Sequence, residues 1–316
     1  MNFDARFAIV ILAAFASANA VASVVTIWQW RRVTAPPAPQ DRATFLFHLR
    51  LLPLVAALLW SSLAMVSFFL FEPRAESERV GLVLMTASVA GLSLVVAAVA
   101  RVTIAFARHR RLLRVWLSDA TPIVLPGVSI PALVLNTTFP VVAVVGIWRP
   151  RLVIARRVLD ACPADELAAI LAHEGGHITR RDNARRMLLL ALPDPLAWFS
   201  TGKELDLAWH DAAEEVADEA PGTGAGDAGR VALAAALVRV AKMVPNGETL
   251  SELPASALYR GDPLERRVRR LLDPIPPRPR APRHRQWLAL ATFIGACIVL
   301  LNPIHELLEL LVTKLP

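Results

Sequence analysis

Four stretches of this chain run almost without charge: Phe7 to about Trp30, Leu51 to Phe71, Val80 to at least Ala100, and Trp287 to about Asn302. Each approaches the ~20 apolar residues that an α-helix needs to cross a bilayer. The pattern therefore predicts four transmembrane helices. The first stretch has a rival reading as a secretory signal, because Ser17, Ala18, Asn19 and Ala20 suggest cleavage near Ala20. Apolar character continues through Val24, Val25, Ile27 and Trp28, which a signal does not need, so a retained span is favoured.

Between the third and fourth stretches the pattern changes. Short β-rich runs come first: Ile123 to Leu125, Ala132 to Leu135, Val141 to Ile147 and Leu152 to Ile154, punctuated by Gly and Pro. Helical periodicity then takes over. Pro163 suits a first helical position, and Asp165 and Glu166 place carboxylates in the first turn, where the helix dipole favours them. This helix is expected to run to about Asp182. A second follows Pro193-Asp194-Pro195, and a third spans about Lys203 to Ala220. Pro221 to Gly226 reads as a flexible break, with further helices at about Arg230 to Met243 and Leu264 to Leu272. Pro274 to Pro282 reads as a stiff tether into the last span. The expected fold class is α+β: a mainly helical, zincin-like domain with a small β-sheet, inserted between spans three and four. The expected layout is a membrane domain over 1–108, a soluble domain over 109–285, and a fourth span with a short tail over 286–316.

Composition sharpens the membrane reading. The chain is 55% hydrophobic and 19% charged, with a mean hydropathy of +0.47. A globular chain has about 45–50% apolar and about 25% charged residues. The net charge of +7 comes from arginines beside the apolar runs, with no aromatic-basic pattern that would point to nucleic acid. Arg31, Arg32, Arg42 and Arg50 precede the second span; Arg101, Arg108, Arg110, Arg111 and Arg114 follow the third; Arg278, Arg280, Arg283 and Arg285 precede the fourth. The loop from Glu72 to Arg79 holds only two arginines. The alternation orients the soluble domain toward the cytoplasm, in a multi-pass protein of the inner (cytoplasmic) membrane. Cys162 and Cys297 suggest no disulfide framework.

The chemistry concentrates at His173-Glu174-Gly175-Gly176-His177. Residues four apart share a helix face, so two imidazoles there can reach one Zn2+ ion, with Glu174 placed to act as general base on a metal-bound water. The bland alternative is a polar helix with two surface histidines. Leu167, Ile170 and Leu171 argue against it, because they form an apolar stripe that packs the helix inward. Gly175 and Gly176 each cost about 1 kcal/mol in a helix interior. Close backbone packing, or room for substrate, would explain them. Glu214 is the expected third ligand, with Asp218 four residues on orienting a ligand histidine. Glu215, His210 and Asp211 compete less well for ligation, and Asp182 and Asn183 read as supporting groups or helix caps. His48 and His305 read as interfacial residues, and Trp28, Trp30, Trp60 and Trp287 as a membrane-interface belt.

Several of these segments together resemble the BlaR/MecR-type membrane zinc metallopeptidases: Val145 to Ile154, Asp165 to Glu174, His177 to Asn183, Glu214 to Asp218, and Leu264 to Leu272. The resemblance covers roughly 120 to 272. It implies zinc ligation by His173, His177 and Glu214, with Glu174 as base. It also implies cleavage of a cytoplasmic regulatory protein, such as a transcriptional repressor, in a signalling response, with a separate sensor protein as a further partner. Two departures stand out. Gly175 replaces a larger apolar residue, and no sensor domain follows the last span before Pro316. The competing readings are a non-catalytic membrane adaptor that keeps the peptidase fold, and a prenyl-protein-type membrane protease.

Overall fold

Three long apolar helices come first in the computed structural model, which describes residues 3–32, 36, 38–71, 80–244 and 261–273. They are α1 (Phe3–Arg32), α2 (Pro39–Phe71) and α3 (Leu82–Leu117), each long and apolar enough to cross a membrane. Small residues let them approach closely, as is usual between helices in lipid. Ala13 and Ala14 of α1 lie buried against Ala64 of α2, and a Cβ at Gly91 of α3 would sit 2.3 Å from the carbonyl oxygen of Leu12. The helices outrun the predicted spans. Residues 39–50, expected in a loop, begin α2, and α3 continues through its arginine cluster to Leu117. The expected fourth span, its tether and the loop Glu72 to Arg79 lie outside the described residues.

A mixed four-stranded sheet follows: β1 (Thr121–Ile123), β2 (Ala132–Leu135), β3 (Val142–Val145) and β4 (Arg151–Ala155), in the order β1-β2-β4-β3. β2 and β4 run parallel, with Val134 opposite Ile154; the other pairs are antiparallel, with Val142 opposite Ile154 across β3 and β4. β3 is therefore an edge strand. After α4 (Arg156–Ala161) come α5 (Ala164–Arg180), α6 (Asp182–Leu190), a 3₁₀ turn (Pro195–Trp198), α7 (Ser200–Asp218), α8 (Ala220–Lys242) and α9 (Gly261–Leu272). The main core joins Val134, Val142, Val153 and Ile154 of the sheet to Ala169 and Ile170 of α5 and to Leu233, Ala236 and Leu237 of α8. Leu167 and Leu171 pack at its margin, so the apolar stripe of α5 faces inward as its spacing requires.

Several boundaries differ from expectation. α5 ends at Arg180 because Arg181 takes a left-handed conformation (φ 53°), and Asp182 starts the separate helix α6. The helix expected after Pro195 is a single 3₁₀ turn. The glycine-rich break is instead the first turns of α8, kinked at Gly226 (φ 61°). Glycine is needed there because ordinary residues avoid that backbone region.

α7 ties the two halves of the molecule together. Leu205, Trp209, Ala212 and Ala213 pack against Ala43, Leu46 and Leu49 of α2 in a second core. A buried guanidinium, Arg50 of α2, donates to Asp194 at 2.6 Å and to Asp206 of α7 at 2.9 Å. A charge this deep is tolerated because it is paired and hydrogen-bonded.

Candidate metal centre

The site is assembled where α5, α7 and α9 meet the β3 edge. His173 and His177 lie one turn apart on α5, with ring centroids 4.9 Å apart and planes nearly perpendicular. Glu214 of α7 faces both. Its oxygens lie 3.5 Å from His173 Nε2 and 3.4 Å from His177 Nε2. One donor atom from each of the three residues falls within 4.8 Å of the others. A tetrahedral ion with bonds of about 2.0–2.1 Å separates its ligand atoms by about 3.4 Å. The two Nε2–oxygen distances match that edge, and both exceed an ordinary hydrogen bond. His173 and Glu214 are buried, and His177 is nearly so.

Each imidazole is held from behind by its own carboxylate. His173 Nδ1 lies 3.0 Å from Asp218 Oδ1, and His177 Nδ1 lies 2.8 Å from Asp182 Oδ2. A proton on Nδ1 facing a carboxylate leaves the Nε2 lone pair free, and both Nε2 atoms point to Glu214. Asp182, the first residue of α6, thus serves His177 and makes no capping hydrogen bond to its helix. Asp218 is fixed in turn by Arg267 of α9, which donates from Nε at 2.8 Å and from a terminal nitrogen at 2.6 Å.

Glu174 is buried beside this set, and its Oε2 accepts the Val144 N–H at 3.1 Å. The Val144 carbonyl accepts from Asn183 Nδ2 at 2.9 Å, and Asn183 also donates to Gly146. Strand β3 therefore already spends both backbone groups of Val144 on site residues.

The electrostatics fit a cation. Among the described residues around the two histidines, the buried charged groups are four carboxylates (Glu174, Asp182, Glu214 and Asp218) against one guanidinium, Arg267. Arg180 and Arg186 at the rim offset part of the excess, with Arg186 3.1 Å from Glu214. Burial alone would lower the pKa of His177, but Glu214 and Asp182 outweigh it and push it up to about 10. His173 rises too, as Asp218 and Glu214 overcome its burial. Burial works to raise Glu214, yet His177, His173 and Arg267 hold it well below the usual carboxylate range. Burial raises Glu174, with the neighbouring imidazoles only partly opposing it. A pocket that holds excess protons on imidazoles beside anionic oxygens suits a divalent ion equally well, since the ion takes the place of the protons.

The competing acidic residues point elsewhere. Glu215 pairs with Arg42 and Arg270, and Asp211 lies 3.8 Å from Arg266. The two glycines have separate reasons. A Cβ at Gly176 would lie 3.3 Å from the Ala217 backbone, so that glycine lets α5 and α7 close up. Among the described residues, nothing lies within 4 Å of a Cβ at Gly175.

No spacing in the sequence ties Arg267 or Arg186 to the site, although Arg267 lies within the Leu264 to Leu272 segment of the resemblance. Arg267 stands 49 residues from its partner Asp218, on another helix among several arginines. Asp182 and Asn183, which the sequence marks as supporting groups or helix caps, lie against His177 and against Val144 and Gly146 respectively.

The model for Peptidase family M48 matches residues 143–205, from β3 through α5 and into α7. The chain is similar to those metallopeptidases over that segment, which holds both histidines and Glu174 and stops short of Glu214. No curated protein matches the chain. Together, the match, the candidate metal cluster and the three apolar helices indicate a membrane metallopeptidase.

Proposed function

We propose that this protein is a zinc endopeptidase of the BlaR/MecR type, with its peptidase domain at the cytoplasmic face of the inner membrane. The observation that carries the reading is the convergence of both Nε2 atoms on Glu214, each imidazole backed by its own carboxylate. His173, His177 and Glu214 would hold the ion. Two histidines and a carboxylate leave a fourth position for water, the pattern of catalytic zinc. Bound there, zinc would lower the pKa of water toward about 7 and polarise the scissile carbonyl.

The chain's own residues do the rest. Glu174 takes the water proton on Oε1, because Oε2 is engaged by Val144, and passes it to the leaving amine. Asp182 and Asp218 keep the imidazole protons on Nδ1 throughout, and Arg267 holds Asp218 in place. An extended substrate alongside edge strand β3 would use backbone groups other than those of Val144, or displace its bond to Glu174.

The arginine-rich flanks of the apolar runs support the cytoplasmic orientation. The proposed organisation is 1–108 as membrane domain, 109–285 as peptidase domain and 286–316 as a fourth span with its tail. The proposed substrate is a cytoplasmic regulatory protein of repressor type, cleaved in a signalling response that a separate sensor protein triggers.

The test uses full-length protein. Purified wild type and Glu174→Gln should each carry about one zinc, lost in His173→Ala. Proteomic comparison of cells expressing wild type or Glu174→Gln should show cleavage products only with the former. Absence of zinc from the wild type would favour the adaptor reading. Full activity in Glu174→Gln would remove Glu174 as the base.

A further inference from the structure

From the last turn of α6 to the start of α7 the chain reads Met187-Leu188-Leu189-Leu190-Ala191-Leu192-Pro193-Asp194-Pro195-Leu196-Ala197-Trp198-Phe199. The one charge in these residues, Asp194, is buried on Arg50. Yet Leu188, Leu190, Trp198 and Phe199 are exposed, the last two by more than half. This is an apolar surface on the candidate peptidase domain, well removed in sequence from the spans.

Its position is set by three contacts with the membrane helices. Asn19 of α1 donates to the Pro193 carbonyl at 2.8 Å, and Arg101 of α3 donates to the Leu192 carbonyl at 2.6 Å. Arg50 of α2 holds Asp194. Neither Asn19 nor Arg101 marks the end of the apolar surface. On α1 exposed apolar side chains continue past Asn19 through Val21, Val24 and Val25 to Trp28, and on α3 past Arg101 to Ile104 and Phe106. At a rise of 1.5 Å per residue, the belt extends about 13 Å beyond the contact on α1 and about 7 Å beyond it on α3. Leu192 and Pro193 therefore sit alongside the belt, inside its edge.

Irregular backbone at that depth is stable only where its polar groups are satisfied by protein. The Leu192 and Pro193 carbonyls, just past the end of α6, are satisfied by the spans themselves. Exposed Lys203 after the segment is placed for lipid headgroups.

We infer that residues 187–199 form a re-entrant segment of the peptidase domain, inserted into the adjacent bilayer leaflet with Leu188, Leu190, Trp198 and Phe199 in contact with lipid. The occupant of this surface is the membrane, because the surface continues the apolar belt of α1 and α3. The segment leads directly into α7, so bilayer contact bears on the helix that carries Glu214. The inference needs the spans but not the metal chemistry.

The test is depth-dependent quenching in full-length protein reconstituted into phosphatidylcholine–phosphatidylglycerol vesicles. Cys162 and Cys297 are replaced by alanine, and bimane is attached at Leu188→Cys, Trp198→Cys, Val96→Cys or Asp227→Cys. Val96 is exposed within α3, and Asp227 is exposed on α8. Nitroxide-labelled lipid should quench positions 188 and 198 as it quenches 96, and leave 227 bright. Quenching at 96 with 188 and 198 as bright as 227 overturns the inference, as does protection of 198 that depends on protein density, which would mark a second copy of the chain as occupant. No quenching at 96 removes the spans and the inference together. A second readout keeps the native cysteines: Trp198→Phe should lose part of the tryptophan quenching that brominated lipid produces, and an unchanged loss of emission counts against insertion.

Discussion

Asp182→Asn isolates the carboxylate behind one imidazole. Asp182 is 1% exposed, and its Oδ2 lies 2.8 Å from His177 Nδ1. The amide keeps the shape and one acceptor oxygen but removes the charge that orients the ring and makes its Nε2 more basic. Loss of such a partner typically costs 10–100-fold in metal affinity, or about 1.4 to 2.8 kcal/mol at about 1.4 kcal/mol per decade. The same carboxylate lies 3.5 Å from Arg180 and 3.9 Å from Arg185, so a general loss of stability must be separated from a local one. Zinc affinity by chelator competition, beside the thermal midpoint of the metal-free protein, makes that separation. The expected result is a zinc affinity weakened 10–100-fold, with cleavage that recovers when zinc is raised. Glu174→Gln should show the reverse: near-normal affinity and no cleavage at any zinc concentration. An Asp182→Asn protein that binds zinc within about twofold of wild type would refute the argument that the imidazoles are oriented from behind.

Acid should weaken zinc binding. In the metal-free site the pKa of His177 is raised to about 10, so the ion displaces a proton across the neutral range, and affinity should fall about tenfold per pH unit per proton from pH 8 to 6. The stability of the metal-free protein runs with that proton: the contribution is full below the unfolded histidine value of about 6.5 and is lost as pH rises through about 10, measurable as a falling midpoint in the presence of chelator. Gly175→Ala should be neutral or stabilising by up to about 1 kcal/mol, since the site is open and the helix gains propensity. Gly176→Val should destabilise by about 1–3 kcal/mol and weaken zinc binding, because its side chain drives α5 from the α7 backbone near Glu214. Equal behaviour of the two glycine variants in thermal unfolding would contradict the packing described. Arg50→Met, which strands buried Asp194, should cost about 3–5 kcal/mol in detergent unfolding, and an unchanged midpoint would show that the link carries no stability.

The local patterns in this chain were readable because their causes are local. Charge-free runs near twenty residues mark helices that suit a bilayer. The four-residue spacing of His173 and His177 places two rings on one face of whichever helix forms. The apolar stripe at Leu167, Ile170 and Leu171 says that this helix is packed inward. Asp218 was foreseen as a partner for a ligand histidine by the same helical arithmetic, counted from Glu214.

What needed the tertiary structure was everything that depends on two segments meeting. The choice of Glu214 over Glu215 turns on which face of α7 meets α5, and that is set by packing against α2. Arg267 reaches Asp218 only because α9 lies against the same cluster, a contact that no spacing encodes. The separate ends of α5 and α6 rest on one left-handed residue, Arg181, where a continuous helix would fit the local pattern as well. Nothing in the sequence of 187–199 says what it packs against, and its contacts with Asn19 and Arg101 set it beside the spans. Periodicity records the environment of a single helix or strand; convergence is a property of the packed chain, where burial and charge pairing choose among faces that the sequence leaves equivalent.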